Sequence, residues 1–430
     1  MSSTNNVQTD MVPSIADATR VWWKIGILSF GGPAAQIALM HKEVVDDRKW
    51  LSEQQFLNAL SFCMLLPGPE AMQLATYAGW RLHGTIGGLI AGLLFVIPGA
   101  AVIMTLAAIY SIFGNVPLVD ALFYGIKAAV LVIVVEALLR VSKKALKQGQ
   151  HWVIAGAAFV GIFFLTIPYP LIVLMAGLYG LITAPTRVAQ DTVDMAHVSV
   201  RKTAGTIILW LAIWLLPLLA LTWLGAPDLL VQVGRFFSTL AIVTFGGAYA
   251  VLAYMAQDVV VQFGWLSAGE MIDALGLAES TPGPLILVTQ FVGFLAGFQD
   301  GGLGLGVIAA IVALWVTFAP CFLWIFAGAP YIEWISNQPR LQGALKAITA
   351  AVVGVILNLS VWFTLHVLFA TVTREQRGPF TLWLPELATI EWLALLLFGL
   401  SCLLAFRLHW GIIRILLVAS VLGAALRLLL

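Results

Sequence analysis

The sequence predicts an all-α polytopic membrane protein with about 13 transmembrane segments, arranged as two homologous halves. Hydrophobic residues make up 61% of the 430-residue chain, and the mean hydropathy is +0.99. Charged residues make up only 10%, against about 25% in a typical soluble domain. They are excluded from apolar runs long enough to cross a bilayer. A stretch near the start of the chain also recurs 215 residues later.

Twelve of the predicted segments divide equally between the halves. Residues 1–19 are polar, lack a signal-peptide pattern and are expected to form a disordered N-terminal tail. The first half, residues 20–184, has apolar segments at 21–40, 54–82, 85–113, 116–139, 152–167 and 169–184. Residues 185–224 form a polar loop and a linker span. The second half, residues 225–430, has apolar segments at 236–256, 266–298, 303–330, 341–369, 386–406 and 409–430.

The repeat is ungapped over 41 positions, where residues 29–69 match 244–284 with 16 identities. The identities include residue types that chance matching of apolar segments would not align. Phe30-Gly31-Gly32 matches Phe245-Gly246-Gly247, and Pro67-Gly68-Pro69 matches Pro282-Gly283-Pro284. The shared Trp-Leu-Ser motif leads into a predicted helix capping box in each copy.

The number of crossings decides how the halves are oriented. Six crossings in the first half and one linker span would place the second half upside down, which is an inverted repeat, a common construction of secondary transporters. Lysine and arginine counts in the 140–147 and 185–205 loops favour a cytoplasmic N-terminus, whereas Arg374 and Arg377 would then lie outside, against the rule. If the Pro-Gly-Pro segments re-enter the membrane instead of crossing it, the parity changes and parallel halves become an alternative.

The two Pro-Gly-Pro motifs predict broken helices inside apolar segments, because proline removes backbone donors and cannot continue a helix. The candidate substrate-binding residues here are Pro67, Gly68, Pro69, Pro282, Gly283 and Pro284. The new helix after each break would present unpaired N–H groups and a partial positive charge, which suits a small anion. The alternative is a kink that serves packing alone.

The paired glycines Gly31, Gly32, Gly246 and Gly247 are further candidates for the substrate site. Two glycines inside an apolar segment weaken a helix and allow a ligand or backbone to come close. Helix–helix contact through small residues is the alternative explanation.

Ionisable residues within apolar segments are functional candidates because their insertion is costly. Lys127 and Lys346 correspond between the halves and are the candidate cations for an anionic substrate, with snorkelling at a span end as the alternative. Ser280 and Thr281 would add hydroxyl donors. The coupling candidates are Glu70, Glu279, Asn58 and Asp273; of these, Asn58 and Asp273 occupy equivalent positions.

Composition also limits the function classes. A net charge of +1 gives no reason to expect a nucleic-acid partner, so membrane lipid and a small anion are the expected partners, and the oligomeric state is open. Cys63, Cys321 and Cys402 have no metal-ligand spacing, and the histidines are scattered. No nucleotide-binding or metalloprotease motif is present, so neither a cofactor nor an enzymatic activity is expected.

These motifs resemble the chromate ion transporter family in its long-chain form. The resemblance rests on Ser29 to Pro33, on Trp50-Leu51-Ser52 leading to Leu66 to Pro69, and on the second copy ending in Ser280 to Pro284. It implies a multi-pass protein of the bacterial cytoplasmic membrane that exports chromate, driven by the membrane potential or by proton coupling, and confers chromate resistance. A permease for sulfate or another tetrahedral oxyanion is the alternative. A membrane-bound chromate reductase and a channel are the rivals from other classes.

Overall fold

The computed structural model describes residues 13–114, 116–185, 199–245, 248–332, 335 and 338–429. Within these ranges the chain forms 15 α-helices and one short β-hairpin. The first-half helices are α1 (Ile15–Leu28), α2 (Gly32–His41), α3 (Glu53–Cys63), α4 (Glu70–Phe113), α5 (Pro117–Ala145), α6 (Gly149–Phe163) and α7 (Tyr169–Thr183).

Helix α8 (Val200–Trp223) connects the two halves. The second-half helices are α9 (Asp228–Val243), α10 (Ala248–Gln257), α11 (Ala268–Ser280), α12 (Val288–Gly328), α13 (Pro339–Leu368), α14 (Trp392–Cys402) and α15 (Ile412–Leu429). Strands β1 (Val372–Arg377) and β2 (Phe380–Pro385) pair antiparallel between α13 and α14.

Six helical segments in the described ranges are long and apolar enough to cross a membrane. They are α4, α5, α8, the segment Leu285–Tyr331 that contains α12, α13 and α15. The remaining apolar segments form shorter helices, so the sequence pattern of about 13 segments does not translate into 13 long helices.

Both Pro-Gly-Pro motifs end a helix. Ser52 and Ser267 cap α3 and α11 with the predicted capping boxes. In each box the serine side chain accepts a hydrogen bond from the backbone N–H of Gln55 or Glu270, and the side chain of that residue accepts one from the serine N–H. α3 ends at Cys63 and α11 at Ser280. The following residues, up to Pro69 and Pro284, are not helical.

Helices α4 and α12 each fold back on themselves. The backbone leaves the helical conformation at His83 and Gly84 in α4, and at Gly301 and Gly302 in α12. Each helix therefore has two limbs, 70–82 and 85–113 in α4, and 288–300 and 303–328 in α12. The limbs lie in close contact, since a side chain at Gly79 would overlap the Gly87 carbonyl.

The second Pro-Gly-Pro motif turns the chain back rather than continuing it in one direction. Gln299 Nε2, near the end of the first limb of α12, donates a hydrogen bond of 2.9 Å to Glu270 Oε1 at the start of α11. Since both ends meet, α11 and this limb form an antiparallel hairpin with the motif at its tip. The first half has the same capping box, break and glycine turn at equivalent positions.

The helix boundaries differ from the sequence expectations at three places. α1 begins at Ile15, capped by Ser14, so part of the expected tail of residues 1–19 is helical; residues 1–12 lie outside the described ranges. α8 begins at Val200, ahead of the expected 206–224. The β-hairpin lies between two predicted apolar segments, where no element was predicted, and Thr381 N–H donates to the Phe164 carbonyl at 2.7 Å.

The two halves interlock through their long helices. α5 packs on α15, and α13 packs on α6 and α7, so a long helix of each half lies on helices of the other. Glycines allow the close approach: side chains at Gly125 and Gly354 would overlap the carbonyls of Ala419 and Ala155. The fold therefore depends on both halves being docked.

Substitution at Gly125 tests this docking. We expect Gly125→Ala to lower the melting temperature of the detergent-purified protein, because overpacking a tight contact costs about 1–3 kcal/mol. Gly156→Ala is the control, since its Cβ would meet no atom within 4 Å and alanine favours the helix by about 1 kcal/mol. Equal melting temperatures for Gly125→Ala and the unsubstituted protein would contradict the packing.

Candidate functional site

Left-handed glycines mark the helix breaks. Gly31 and Gly32, between α1 and α2, have φ of 83° and 78°. Gly68 and Gly283, within the Pro-Gly-Pro motifs, have φ of 115° and 88°. L-residues with side chains rarely adopt these values. The predicted site residues Gly246 and Gly247 lie outside the described ranges.

The breaks of the two halves are joined by a crossed pair of backbone hydrogen bonds. Gly68 N–H donates to the Thr244 carbonyl, and Gly283 N–H donates to the Ser29 carbonyl, both at 2.9 Å. Ser29 and Thr244 precede the Phe-Gly-Gly motifs at equivalent positions of the repeat. Each Pro-Gly-Pro motif is therefore hydrogen-bonded to the other half of the chain, which gives two equivalent junctions.

Two buried glutamines reinforce these junctions. Gln36 Nε2 donates to the carbonyls of Gly283 at 2.7 Å and Ser29 at 3.2 Å. Gln73 Nε2 donates to the Pro67 carbonyl at 2.7 Å. Sequence reasoning missed both, although a lone amide in an apolar run is the signal that could have identified them. Their Oε1 atoms accept no hydrogen bond among the described residues.

The two new helix N-termini differ from each other. Pro69 is the N-cap of α4, and Glu70 is its first residue. Pro69 therefore lies one residue before the first helical position, where proline is common. In the second copy a 3-10 turn, Leu285–Leu287, precedes α12, which begins at Val288. Free N–H groups are thus presented by an α-helical turn in one half and by a tighter turn in the other.

Glu279 is a buried carboxyl immediately before the second break. Its side chain is 2% exposed, and Oε1 accepts a 2.6 Å hydrogen bond from the Tyr249 hydroxyl. Oε2 has no partner among the described residues. Arg140 and Glu136 of α5 are close enough to act on this carboxyl electrostatically. In the first half, Lys144, which is also in α5, acts electrostatically on the Glu70 carboxyl.

Lys127 and Asp273 form an ion pair between the halves. Lys127 Nζ lies 3.3 Å from Asp273 Oδ2, which also accepts a 2.8 Å hydrogen bond from the Tyr110 hydroxyl. Asp273 is 2% exposed. The pair lines a cavity of about 450 Å³ together with Asp120 and Glu270. Lys127 is therefore engaged by a carboxylate rather than free to meet an anion.

The equivalent residues of the repeat, Lys346 and Asn58, form no such pair. Lys346 is exposed, and Asn58 is an exposed residue whose Oδ1 accepts from Gln54 Nε2 at 2.9 Å. The two lysines that correspond in the repeat thus have different environments. The sequence shows one reason for this, because only one of the matched polar residues, Asp273, is a carboxylate.

The hydroxyls of Ser280 and Thr281 are used locally. Ser280 donates to the Leu277 carbonyl at 2.9 Å and Thr281 to the Ala278 carbonyl at 3.0 Å. In this structure both hydroxyls donate to nearby backbone carbonyls, and their role at the substrate site stays a prediction. No group of three or more His, Cys, Asp or Glu residues suited to a metal ion occurs in the described ranges.

Long apolar helices, with broken helices that meet at two equivalent junctions, define the class of a multi-pass membrane transporter. The chromate transporter family model matches residues 16–181 and again 231–424. The chain belongs to the chromate transporter family, as a long-chain member with one family segment in each half. This is a family of transporters and not of enzymes.

Three relatives illustrate the similarity. The chain is 30% identical to a chromate transport protein of Pseudomonas aeruginosa over 408 residues, covering 93% of this chain and 89% of the relative. It is 29% identical to a probable chromate transport protein of Synechococcus elongatus over 350 residues, covering 80% and 83%. It is 27% identical to a chromate transport protein of Cupriavidus metallidurans over 371 residues, covering 83% and 84%. No solved structure matches the chain.

The ion pair can be tested by its effect on stability. We expect Lys127→Met to lower the melting temperature, because it leaves the buried Asp273 carboxylate unpaired. Breaking a fully buried pair costs roughly 3–5 kcal/mol, and the Lys127 side chain is 25% exposed, so a smaller loss is expected. Adding Asp273→Asn should recover most of it.

Lys346→Met is the matched control, since its side chain is exposed, and it should change the melting temperature little. Independent, additive losses from Lys127→Met and Asp273→Asn would mean that the two side chains do not interact.

Proposed function

We propose that this protein exports chromate across the bacterial cytoplasmic membrane by secondary active transport and so confers chromate resistance. The observation that carries the proposal is the crossed pair of hydrogen bonds between Gly68 and Thr244 and between Gly283 and Ser29. It places broken helices from both halves in one framework, which is how many transporters build a substrate site. Family membership and the names of the relatives favour chromate as the substrate.

The proposed topology is an inverted repeat. A hairpin of two short helices returns the chain to the membrane side from which it entered. Such hairpins therefore do not change the number of membrane crossings. Lys24 Nζ and Glu43 Oε1, 2.6 Å apart, hold α1 close to the end of α2 in such a pair. The second limb of α4 and α5 then cross the membrane in the first half, and the second limb of α12 and α13 cross it in the second half.

The connecting helix α8 crosses alone and therefore inverts the second half. In this topology, re-entrant limbs and full crossings together account for the apolar segments counted in the sequence. Re-entry does not produce parallel halves, because each re-entrant segment consists of two limbs. The N-terminal side is the cytoplasmic side, as the lysine and arginine distribution favours.

The proposed substrate site lies at the breaks. Backbone N–H groups after Pro67-Gly68-Pro69 and Pro282-Gly283-Pro284, together with the Gly31-Gly32 and Gly246-Gly247 segments, are the donors for an oxyanion. The dipole of each helix adds a favourable potential for negative charge at its N-terminus. Lys127 and Lys346 contribute positive charge from the periphery, with Lys127 released only when Asp273 is protonated or moves.

Glu279 is the proposed coupling group. Its carboxyl is buried beside the break, shares one oxygen with Tyr249 and leaves the other unpartnered. A proton on Oε2 would remove a negative charge next to the oxyanion, so proton binding and anion binding become linked. Asp273, Glu70 and Asn58 remain further candidates, of which Asp273 is ion-paired and Asn58 is exposed.

Uptake of labelled chromate into energised everted vesicles tests the function. We expect uptake against a gradient in vesicles with the protein, because everted vesicles present the cytoplasmic face to the medium. Glu279→Gln should reduce uptake to the level of vesicles lacking the protein, whereas Glu375→Gln, on the exposed β-hairpin, should not.

Competition distinguishes the substrates. Unlabelled chromate should compete more strongly than sulfate at equal concentration. Uptake of labelled sulfate without uptake of chromate would replace chromate by the alternative oxyanion, and downhill flux alone would favour a channel.

A further inference from the structure

We propose that a second anion site lies on the side opposite the cytoplasm, in a cavity between the two halves whose walls carry Arg235 and Arg374. The site would receive hydrated tetrahedral oxyanions on the release side of the transport path. Its assignment to that side rests on the proposed topology, whereas its chemistry rests on the cavity itself. None of its residues belongs to the breaks described above.

The cavity has a volume of about 690 Å³ and lies between α9, α10, α13, the loop before α7 and the β-hairpin. This volume is within the range of ligand sites, about 300–1,000 Å³, and exceeds what a single bare oxyanion needs, so the ligand would enter with part of its hydration shell. Besides the arginines, amide and hydroxyl groups line it, among them Gln232, Thr239 and Asn358.

Both arginines are available to a ligand. Arg235 and Arg374 take part in no ion pair among the described residues, and Arg374 lies over the Trp383 ring at 5.8 Å from its centroid. Asp258 is the carboxylate in the lining, and it interacts with the Tyr254 hydroxyl. The lining therefore contains two guanidinium groups and one carboxylate. Guanidinium groups bind oxyanions through paired N–H donors.

The positions of these arginines also explain an irregularity of the sequence. Arg374 lies on the side that the positive-inside rule leaves poor in lysine and arginine, as does Arg235. The structure places both at one cavity, although 139 positions separate them in the sequence. A shared ligand gives a reason for positive charge on that side.

The equivalent place in the first half carries internal ion pairs instead. Thr239, Asp258 and Phe263 line the cavity, and their counterparts by the 215-residue repeat are Lys24, Glu43 and Arg48. Glu43 is buried and holds Lys24 Nζ at 2.6 Å and Arg48 Nη1 at 2.5 Å. An internal carboxylate thus takes up the cations on one side, while on the other side the arginines remain free for an external anion.

Protection of an introduced cysteine tests the proposal. Gln232→Cys would be placed in a Cys402→Ser background, because Cys63 and Cys321 are buried, and treated in intact cells with a membrane-impermeant maleimide. Sulfate is the probe, since chromate oxidises thiols. We expect labelling to slow about tenfold at a sulfate concentration of about ten times its dissociation constant, by mass action, and gluconate at equal ionic strength to have no effect.

The matched controls separate binding from general effects. Protection should be lost with Arg235→Gln and Arg374→Gln together but kept with Arg407→Gln, which is exposed and outside the cavity. Gln376→Cys, on the exposed β-hairpin, should not be protected.

Three results would overturn the proposal: no protection by sulfate, equal protection by gluconate, or labelling of Gln232→Cys only in everted vesicles. Failure of chromate uptake with sulfate protection intact would instead contradict the proposed function alone.

Discussion

The structure depends on how the backbone is satisfied at the two Pro-Gly-Pro breaks. A broken helix in an apolar environment exposes N–H groups, each of which costs several kcal/mol if unpaired in hydrocarbon. Gly68 and Gly283 resolve this by donating to carbonyls of the opposite half. Each break is therefore stabilised by the other half. The close glycine contacts of α5 and α13 likewise join the two halves. Further N–H groups lie at the start of α4 and of the turn before α12, and these are the donors of the proposed anion site.

A symmetric backbone carries asymmetric side chains. The repeat equates Glu43 with Asp258 and Asn58 with Asp273, yet each carboxylate has a different partner. Glu43 binds two cations, Asp273 binds Lys127, and Asp258 faces a cavity with two arginines. In the transport cycle that we propose, these charge differences would give an anion a different environment on each side of the membrane.

Much of the framework could be predicted from the sequence, because local chemistry determines it. Proline ends helices at both motifs, and serine with a glutamine or glutamate three residues later caps α3 and α11. The divisions of the apolar pattern after residue 82 and after residue 298 coincide with the glycine turns that separate α4 and α12 into two limbs, although the pattern does not show that the limbs fold back on each other. The Lys127–Asp273 pair joins residues 146 positions apart, and such pairing is set by tertiary packing. For the same reason the local sequence could not show that Lys346 is exposed, or that Gln36 reaches the second break.

In the proposed topology the halves are inverted, and the two glycine turns provide matched reporters of this orientation. Thr85 and Leu303 are exposed residues that directly follow these turns in α4 and α12. Thr85→Cys and Leu303→Cys, each in a Cys402→Ser background, would be treated with an impermeant maleimide in intact cells and in everted vesicles. Inverted halves predict that Leu303→Cys is labelled in intact cells and Thr85→Cys only in everted vesicles. Labelling of both cysteines from the same side would contradict the account.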